Sequence, residues 1–252
     1  MLVWNRSSAK AEKLLAELGP DKIRVAKSLD QVATECDIIF TSLANDEAVK
    51  SVYQQFAVAL KNAPPQRNKI FVESSTTFPT LMGELETLIL SAGHCKIITC
   101  PVFGTPPVAE ASQLLIVMSG DHQSVESNRS GADHRTATQV QKGGGLHARA
   151  SRGQEAPTFK LIGNSMILGT LEILAESYTL AEKAGIAASN VHSFVQDMFP
   201  APGMIRYSER ISQDDFDASA GFSIDGGIKD ASHVLSFNFC ARSNLLADTY
   251  AA

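Results

Sequence analysis

The chain has 252 residues, with 22 Lys+Arg against 27 Asp+Glu, a net charge of −5, 44% apolar residues and 19% charged residues. That is the composition of a globular protein of one large or two modest domains with a sizeable core, not of a disordered chain. Net negative charge argues against nucleic acid as the main partner, because neutralising phosphates needs a basic face.

Four cysteines (Cys36, Cys95, Cys100, Cys240) form no CxxC pair, which fits a reduced, intracellular setting. No basic-then-apolar leader opens the chain. The longest uncharged stretch of its apolar helical region, Leu161 to Leu171, is 11 residues. A membrane span needs about 20. The expectation is a soluble cytoplasmic protein without membrane contact, or a mitochondrial one where a longer N-terminal segment carries a transit peptide.

Apolar periodicity alternates along the first hundred residues. Leu2 to Trp4 reads as a strand, Ala9 to Leu18 as a helix closed by Gly19-Pro20, and Ile23 to Ala26 as a strand. A short helix over Leu29 to Thr34, with Ser28 as N-cap, precedes a buried strand over Asp37 to Leu43. Asp46 to Leu60 reads as a helix, Ile70 to Glu73 as a strand, Pro79 to Ala92 as a helix and Lys96 to Ile98 as a strand. Such alternation implies right-handed crossovers and a mostly parallel, doubly wound sheet. A β-like run over Leu114 to Met118 fits the same sheet.

The composition then changes. Between Glu126 and Ala156 only Val140 and Leu146 are apolar and larger than Ala, so residues 127–155 are expected to be irregular. His134 and His147 lie there without ligand-like spacing, and no metal site is expected. Thr158 to Ala184 reads as one helix of about 27 residues, with Gly185 as its C-terminal cap. The rest also reads as helical. Two domains are expected: an α/β domain over 1–157 and a helical one over 158–252.

Four segments carry chemistry. Asn5-Arg6-Ser7 ends the first strand, where an arginine and hydroxyls suit a ribose 2′-phosphate, although a helix-capping turn has the same composition. Glu73-Ser74-Ser75-Thr76-Thr77 follows a strand and precedes a helix, as an anion-binding lip or a capping sequence would. Cys100 to Pro106 is a loop after a strand in which Gly104 would let backbone approach a ligand, or simply a Pro-bounded turn. Lys160 and Asn164, at i and i+4, place an ammonium and an amide on one helical face. Phe159, Leu161 and Ile162 around Lys160 favour a lowered pKa and acid/base work, against the alternative of a snorkelling lysine. Lys229-Asp230 supplies a second cation in the helical region.

In this order the segments resemble the β-hydroxyacid dehydrogenase family, the 3-hydroxyisobutyrate dehydrogenase and glyoxylate/succinic semialdehyde reductase group related to 6-phosphogluconate dehydrogenase. The resemblance covers most of 1–120 and 158–250. It implies an incomplete Rossmann-like sheet, a long interdomain helix and an all-helical C-terminal domain. Ser75 and Thr76 match the family's D-x-S-T loop, which touches substrate and nicotinamide. Pro101, Val102 and Gly104 match its P-V-x-G loop for the substrate carboxylate. Lys160 and Asn164 match its K-x-x-x-N, as catalytic acid/base and substrate ligand. Phe222, Lys229 and Asp230 match its late Phe and Lys-Asp, with the lysine near the nicotinamide.

Asn5-Arg6-Ser7 looks like the NADP-preferring version of the family's turn. The departures are specific. Glu73 stands for the usual Asp, and Phe103 and Thr105 stand for small residues. No G-x-G-x-x-G occurs, and the chain opens at what would be the second strand, so a βαβ unit short of about 30 residues is expected. The end likewise falls before the family's final helices, and 127–155 departs from its pattern. A shortened or altered gene product is expected.

The resemblance therefore implies an NADP-dependent oxidoreductase, with NAD the less favoured cofactor. Hydride would pass between nicotinamide and a small 2- or 3-hydroxy acid or its aldehyde or keto form. Lys160 would be proton donor and acceptor, and Ser75, Gly104 and Asn164 would bind substrate. Asn5, Arg6, Ser7, Leu43, Thr76 and Lys229 would bind cofactor, in a homodimer. The alternative is a cofactor-deficient remnant, or a non-catalytic dimerisation or regulatory module of the same fold. The absent glycine loop favours that alternative, because a pyrophosphate would lose its helix N-terminus.

Overall fold

A computed structural model of the chain describes residues 1–120, 154–216 and 223–250, with side chains of the last helix described to 237. The irregular segment expected over 127–155, apart from its last two residues, lies outside the described residues, as do Phe222 and the Cys240 side chain. The chain divides into two compact units, Met1–Gly104 with Ser112–Lys160, and Thr105–Ala111 with Leu161–Ala252.

In the first unit the apolar runs become strands and the amphipathic runs between them become helices. The order is β1 (Leu2–Val3), α1 (Ser8–Leu18), β2 (Arg24–Val25), α2 (Leu29–Glu35), β3 (Ile38–Thr41), α3 (Asp46–Asn62) and β4 (Lys69–Glu73). Then come α4 (Leu81–Leu90), β5 (Cys95–Thr99), β6 (Val102–Phe103), β7 (Leu115–Ile116) and β8 (Ser119–Gly120). Local chemistry sets the helix starts. Ser28 Oγ accepts the Gln31 N–H at 3.2 Å, and Asn45 Oδ1 accepts the Ala48 N–H at 2.9 Å.

β1 and β2 pair in parallel, and β3, β4 and β5 form a parallel set to which β8 adds antiparallel. Helices α2, α3 and α4 bury one face of these strands. At its centre Tyr53 and Phe56 of α3 meet Phe71 of β4 with ring centroids 5.5 to 5.9 Å apart, all three essentially without solvent exposure. Lys69 is buried at the start of β4, and its ammonium donates to the carbonyls of Thr34 (3.0 Å) and Cys36 (2.6 Å) at the end of α2. A cation there meets the negative end of the helix dipole and satisfies otherwise orphaned carbonyls.

Two strand expectations need correction. β3 is buried on one face only: Ile39 and Thr41 are covered, but Ile38 is 49% and Phe40 67% exposed. The cross-strand register sets Phe40 beside Val72 and Val72 beside Ile98. Ile116 and Met118 pack over Val72 and Ile98, while at β3, the end of its sheet, that second layer runs out among the described residues. The run Leu114 to Met118 does not join the main sheet either. Its Leu115–Ile116 pairs antiparallel with Val102–Phe103, and only the next two residues, β8, reach β5.

The second unit is helical: α5 (Pro106–Glu110), the bulk of α6 (Glu155–Lys183), α7 (Ala188–Met198), α8 (Pro202–Ser212) and α9 (Ile224–Tyr250). α6 is 29 residues and starts slightly earlier than the sequence indicates. It ends as expected at Gly185, whose φ of +71° suits glycine. The Ile186 N–H bonds back to Ala181 O and the Gly185 N–H to Glu182 O, the paired reach of a Schellman cap. Leu174, Tyr178 and Val195 form the core of this unit. The Tyr178 hydroxyl is 2.7 Å and His192 Nδ1 3.0 Å from the buried Ser208 Oγ, so α6, α7 and α8 share one polar junction. No described helix is long and apolar enough to cross a membrane.

The aromatic centre yields a stability test. Phe71→Ala leaves a void facing Tyr53 and Phe56, and should cost about 3–5 kcal/mol, read as a lowered urea midpoint at unchanged slope. A loss below 1 kcal/mol would show that the rings do not organise the core.

Candidate functional site

In open α/β sheets ligands gather beyond the carboxyl ends of the strands. Here β3 ends at Thr41 and β4 at Glu73, and the register places the two residues side by side. Glu73 is 1% exposed. Its Oε2 accepts from Thr41 Oγ1 at 2.6 Å and its Oε1 from the Ser75 N–H at 2.7 Å. Thr41 Oγ1 is also 3.1 Å from the Tyr53 hydroxyl.

Beyond the strand the chain turns sharply. Ser74 donates through both its N–H and its hydroxyl to Thr41 O, at 2.9 and 2.6 Å. The buried Ser75 Oγ then accepts the Leu43 N–H at 2.7 Å. Two sequence candidates from different loops, Leu43 and Ser75, are thus hydrogen-bonded to each other. Thr76 follows, half-buried, ahead of α4.

Burial pushes the Glu73 carboxyl above its ordinary value, against hydrogen bonds from Ser75, Thr41 and Tyr53 that favour the charged form. The Tyr53 phenol is raised well above its ordinary value, first by burial and then by the neighbouring Glu73 charge. The sequence motif indicated the hydroxyls of this lip. Glu73, Thr41 and Tyr53 as their support were not foreseen, because the contacts join residues 12 and 32 positions apart.

The second group in this unit surrounds the start of α6. Thr99 of β5 and Ser119 of β8 bring their hydroxyl oxygens within 2.6 Å, and Ser119 Oγ accepts the Ala156 N–H at 3.2 Å. One of the orphan donors of the first helical turn is satisfied by the sheet. Lys160 follows one turn later, 9% exposed, with its Nζ 4.0 Å from the centre of the Phe103 ring. Phe103 also meets Phe159 edge-on at 6.4 Å. Gly104, next to Phe103, has φ +143°, a backbone conformation that side chains resist.

Within the second unit, the Asn164 amide donates to a carboxylate oxygen of Asp230, both buried, and the Lys229 ammonium lies 3.2 Å from the other oxygen. The carboxylate orients Asn164, a partnership the sequence did not reveal. Lys160 and Asn164 stand one turn apart on α6.

Asn5, Arg6 and Ser7 form an exposed turn after β1, in which Asn5 Oδ1 accepts the Ser7 N–H at 2.9 Å. Ser7 is the N-cap residue of α1 by position, but its side chain makes no capping hydrogen bond. An exposed guanidinium beside a free-standing hydroxyl is a donor set that fits a phosphate. This turn and the Leu43–Ser75 lip both lie at carboxyl ends of strands, the side of such sheets where ligands bind. The chain's sequence offers no G-x-G-x-x-G for a pyrophosphate.

Among the described thiols, Cys95 and Cys100 are buried, burial pushes Cys100 up to about 11, and burial also raises the half-buried Cys36. No group of three or more metal-ligating side chains occurs among the described residues.

Residues 1–138 match the family described as the NAD binding domain of 6-phosphogluconate dehydrogenase. The chain belongs to this family.

Among curated proteins it is 29% identical over 211 residues to the NADH-dependent oxidoreductase ucdB of Aspergillus ustus, covering 84% of this chain and 66% of that protein. It is 26% identical over 174 residues to a Mycobacterium tuberculosis protein named "Probable 3-hydroxyisobutyrate dehydrogenase", covering 69% of this chain and 54% of that one. The chain thus spans between about half and two thirds of the length of these two relatives.

The fold matches a 3-hydroxyisobutyrate dehydrogenase from Salmonella typhimurium with a TM-score of 0.74 at 17% identity, covering 95% of this chain and 79% of that one. It matches Psf3, solved with NADP+ and 2-OPP, with a TM-score of 0.73 at 19% identity, over 94% and 78%. A Rossmann-like α/β unit followed by a helical one is the architecture they share.

Proposed function

We propose that this chain serves an NADP-dependent oxidoreductase acting on a small 2- or 3-hydroxy acid or its aldehyde or keto form. Units 1–157 and 158–252 would be its dinucleotide-binding and helical substrate domains. The observation that carries the reading is the placement of Lys160: a nearly buried ammonium, over an aromatic ring, on a helix whose first turn is bonded to the sheet.

The nicotinamide, when bound, supplies the hydride acceptor or donor. Lys160 holds or takes the proton at the substrate oxygen as that carbon is reduced or oxidised. Ser75 orients the substrate, Asn164 binds it from an amide fixed by Asp230, and the Gly104 backbone meets its carboxylate. Asn5, Arg6, Ser7, Leu43, Thr76 and Lys229 hold the cofactor. NADP is favoured over NAD by the Arg6 guanidinium and Ser7 hydroxyl, although the relative ucdB is named NADH-dependent. The second reading is a cofactor-deficient remnant, or a non-catalytic dimerisation or regulatory module of the same fold.

A second copy of the chain is the proposed partner. On α6, Ile162, Met166, Ile173 and Leu180 recur at spacings of 4, 7 and 7 residues and are 54%, 70%, 59% and 69% exposed. A heptad-like seam of that kind is what two helices bury against each other.

Losing a general acid/base costs about 10²–10⁴-fold in rate. Lys160→Ala should lower kcat by that factor with near-normal cofactor Kd, whereas Lys229→Ala should weaken the cofactor. Near-normal turnover in Lys160→Ala would reject the mechanism, and no binding of either nucleotide by wild type in calorimetry would favour the non-catalytic reading. Arg6→Ala should weaken NADPH by roughly 10- to 150-fold, the worth of one charge-assisted hydrogen bond, and leave NADH nearly unchanged. Equal losses would sink the phosphate assignment. Ile173→Glu should shift a dimer to monomer in sedimentation, and an unchanged mass would place the interface elsewhere.

A further inference from the structure

The lip at the ends of β3 and β4 contains a carboxylate that no proposed chemical step uses. Glu73 is buried, and its two oxygens are divided between two loops: Oε2 takes the Thr41 hydroxyl and Oε1 the Ser75 N–H. Ser75 in turn holds the Leu43 N–H on its Oγ. Its partners are hydroxyls and an amide, and among the described residues no lysine or arginine is a cause of its shift. Tyr53, on α3, is the titratable group that faces it.

A buried carboxylate without a cation is costly. Its location is informative. A core residue contributing only to stability would be apolar here, since Phe71 and Val72 beside it on β4 are buried without penalty. Glu73 instead accepts from two donors at once. The Ser75 N–H cannot turn away, and an apolar side chain would leave it unpaired. Removing that acceptor frees the turn that carries Ser75 and, through it, the Leu43 amide.

We propose that Glu73 is the positioning residue of this lip, holding Ser75 and the Leu43 loop in one fixed arrangement for substrate and nicotinamide. The proposal rests on the functional reading given above for what the lip binds, but the arrangement itself can be tested without turnover.

The sign of the acid–base effect separates positioning from stability. The folded-state pKa of Glu73 is raised, so its contribution to stability is fully present below the unfolded value near 4.5 and is lost as pH rises through the folded value. Above that range the buried carboxyl costs stability in either protonation state, and a neutral amide of the same size removes that cost. Glu73→Gln keeps an oxygen for the Ser75 N–H, but an amide oxygen is a weaker acceptor than a carboxylate one, and its NH₂ meets the Thr41 hydroxyl that now donates, so both ties of the turn are weakened. A residue with a merely structural role improves nothing when removed. This one should leave the fold as stable or more stable and the lip looser.

The experiment compares wild type, Glu73→Gln and Phe56→Ala, the last a core variant that lowers global stability and removes no hydrogen bond of the lip. Amide exchange at Leu43 and Ser75, urea midpoints at pH 7, and steady-state kinetics are measured for each. The expected result for Glu73→Gln is an unchanged or higher midpoint, exchange at Leu43 and Ser75 faster by about tenfold or more, and a raised KM with kcat changed only a few-fold. Phe56→Ala should lower the midpoint and speed exchange throughout the unit. If Glu73→Gln leaves both amides protected, or loosens them no more than Phe56→Ala does, the proposal is overturned.

Should Glu73→Gln fail to fold, wild type decides. The Leu43 and Ser75 amide resonances should titrate together, with one midpoint above the ordinary glutamate range, and independent or absent titration overturns the proposal. A loosened lip in a protein without oxidoreductase activity would leave Glu73 as its positioner and defeat the functional reading alone.

Discussion

The position of the only lysine singled out for chemistry on α6 is decided by a serine hydroxyl. Ser119 Oγ sits between Thr99 on one side and the Ala156 N–H on the other, 2% exposed, where the last strand of the sheet meets the first turn of the helix. A helix this long would otherwise be free to slide or rotate by a residue, and one residue is about 100° of rotation. Pinning its first turn sets which side of α6 carries Phe159, Lys160 and Asn164. The two-residue strand β8 has this as its structural consequence, well beyond its few ladder bonds.

The unit is built on two kinds of interior. Beneath α2, α3 and α4 the packing is apolar and aromatic, of the sort that tolerates little volume change. Toward the carboxyl ends of β3 and β4 it becomes a continuous polar network running from Tyr53 through Thr41 and Glu73 to Ser75. Tyr53 belongs to both, with its ring in the core and its hydroxyl on the network. Tension between stability and shape is thus located at one strand end. The helical unit repeats the device with Asn164 and Asp230, a buried amide fixed by a buried carboxylate.

Much of the alternating architecture was legible because it rests on local signals. Periodicity located α1 to α4 and β1 to β5 within a few residues, Ser28 capped as its residue type indicates, and Gly185 ended α6. What failed depended on neighbours distant in sequence. An all-apolar run cannot say that one face of β3 lacks a covering layer, and Leu114 to Met118 carried no mark of pairing with Val102–Phe103. Lys69 carries no local mark of burial, and only the closing of α2 against β4 makes it a buried cap. At the candidate site the motif residues were readable singly. The carboxylates that hold them, Glu73 and Asp230, were not, since a buried acid is identified by its partners rather than by its spacing.

The bare face of β3 governs how this protein will behave in concentrated solution. Ile38 and Phe40 stand on a strand with one unpaired edge among the described strands, without a charge, proline or bulge in Ile38–Thr41 to interrupt it. Native edge strands usually carry such interruptions, because backbone donors and acceptors in a row are a template for any other extended chain. Ile38–Thr41 therefore works against the solubility that a net charge of −5 favours. A single lysine at position 40 would act as the gatekeeper that the natural strand lacks.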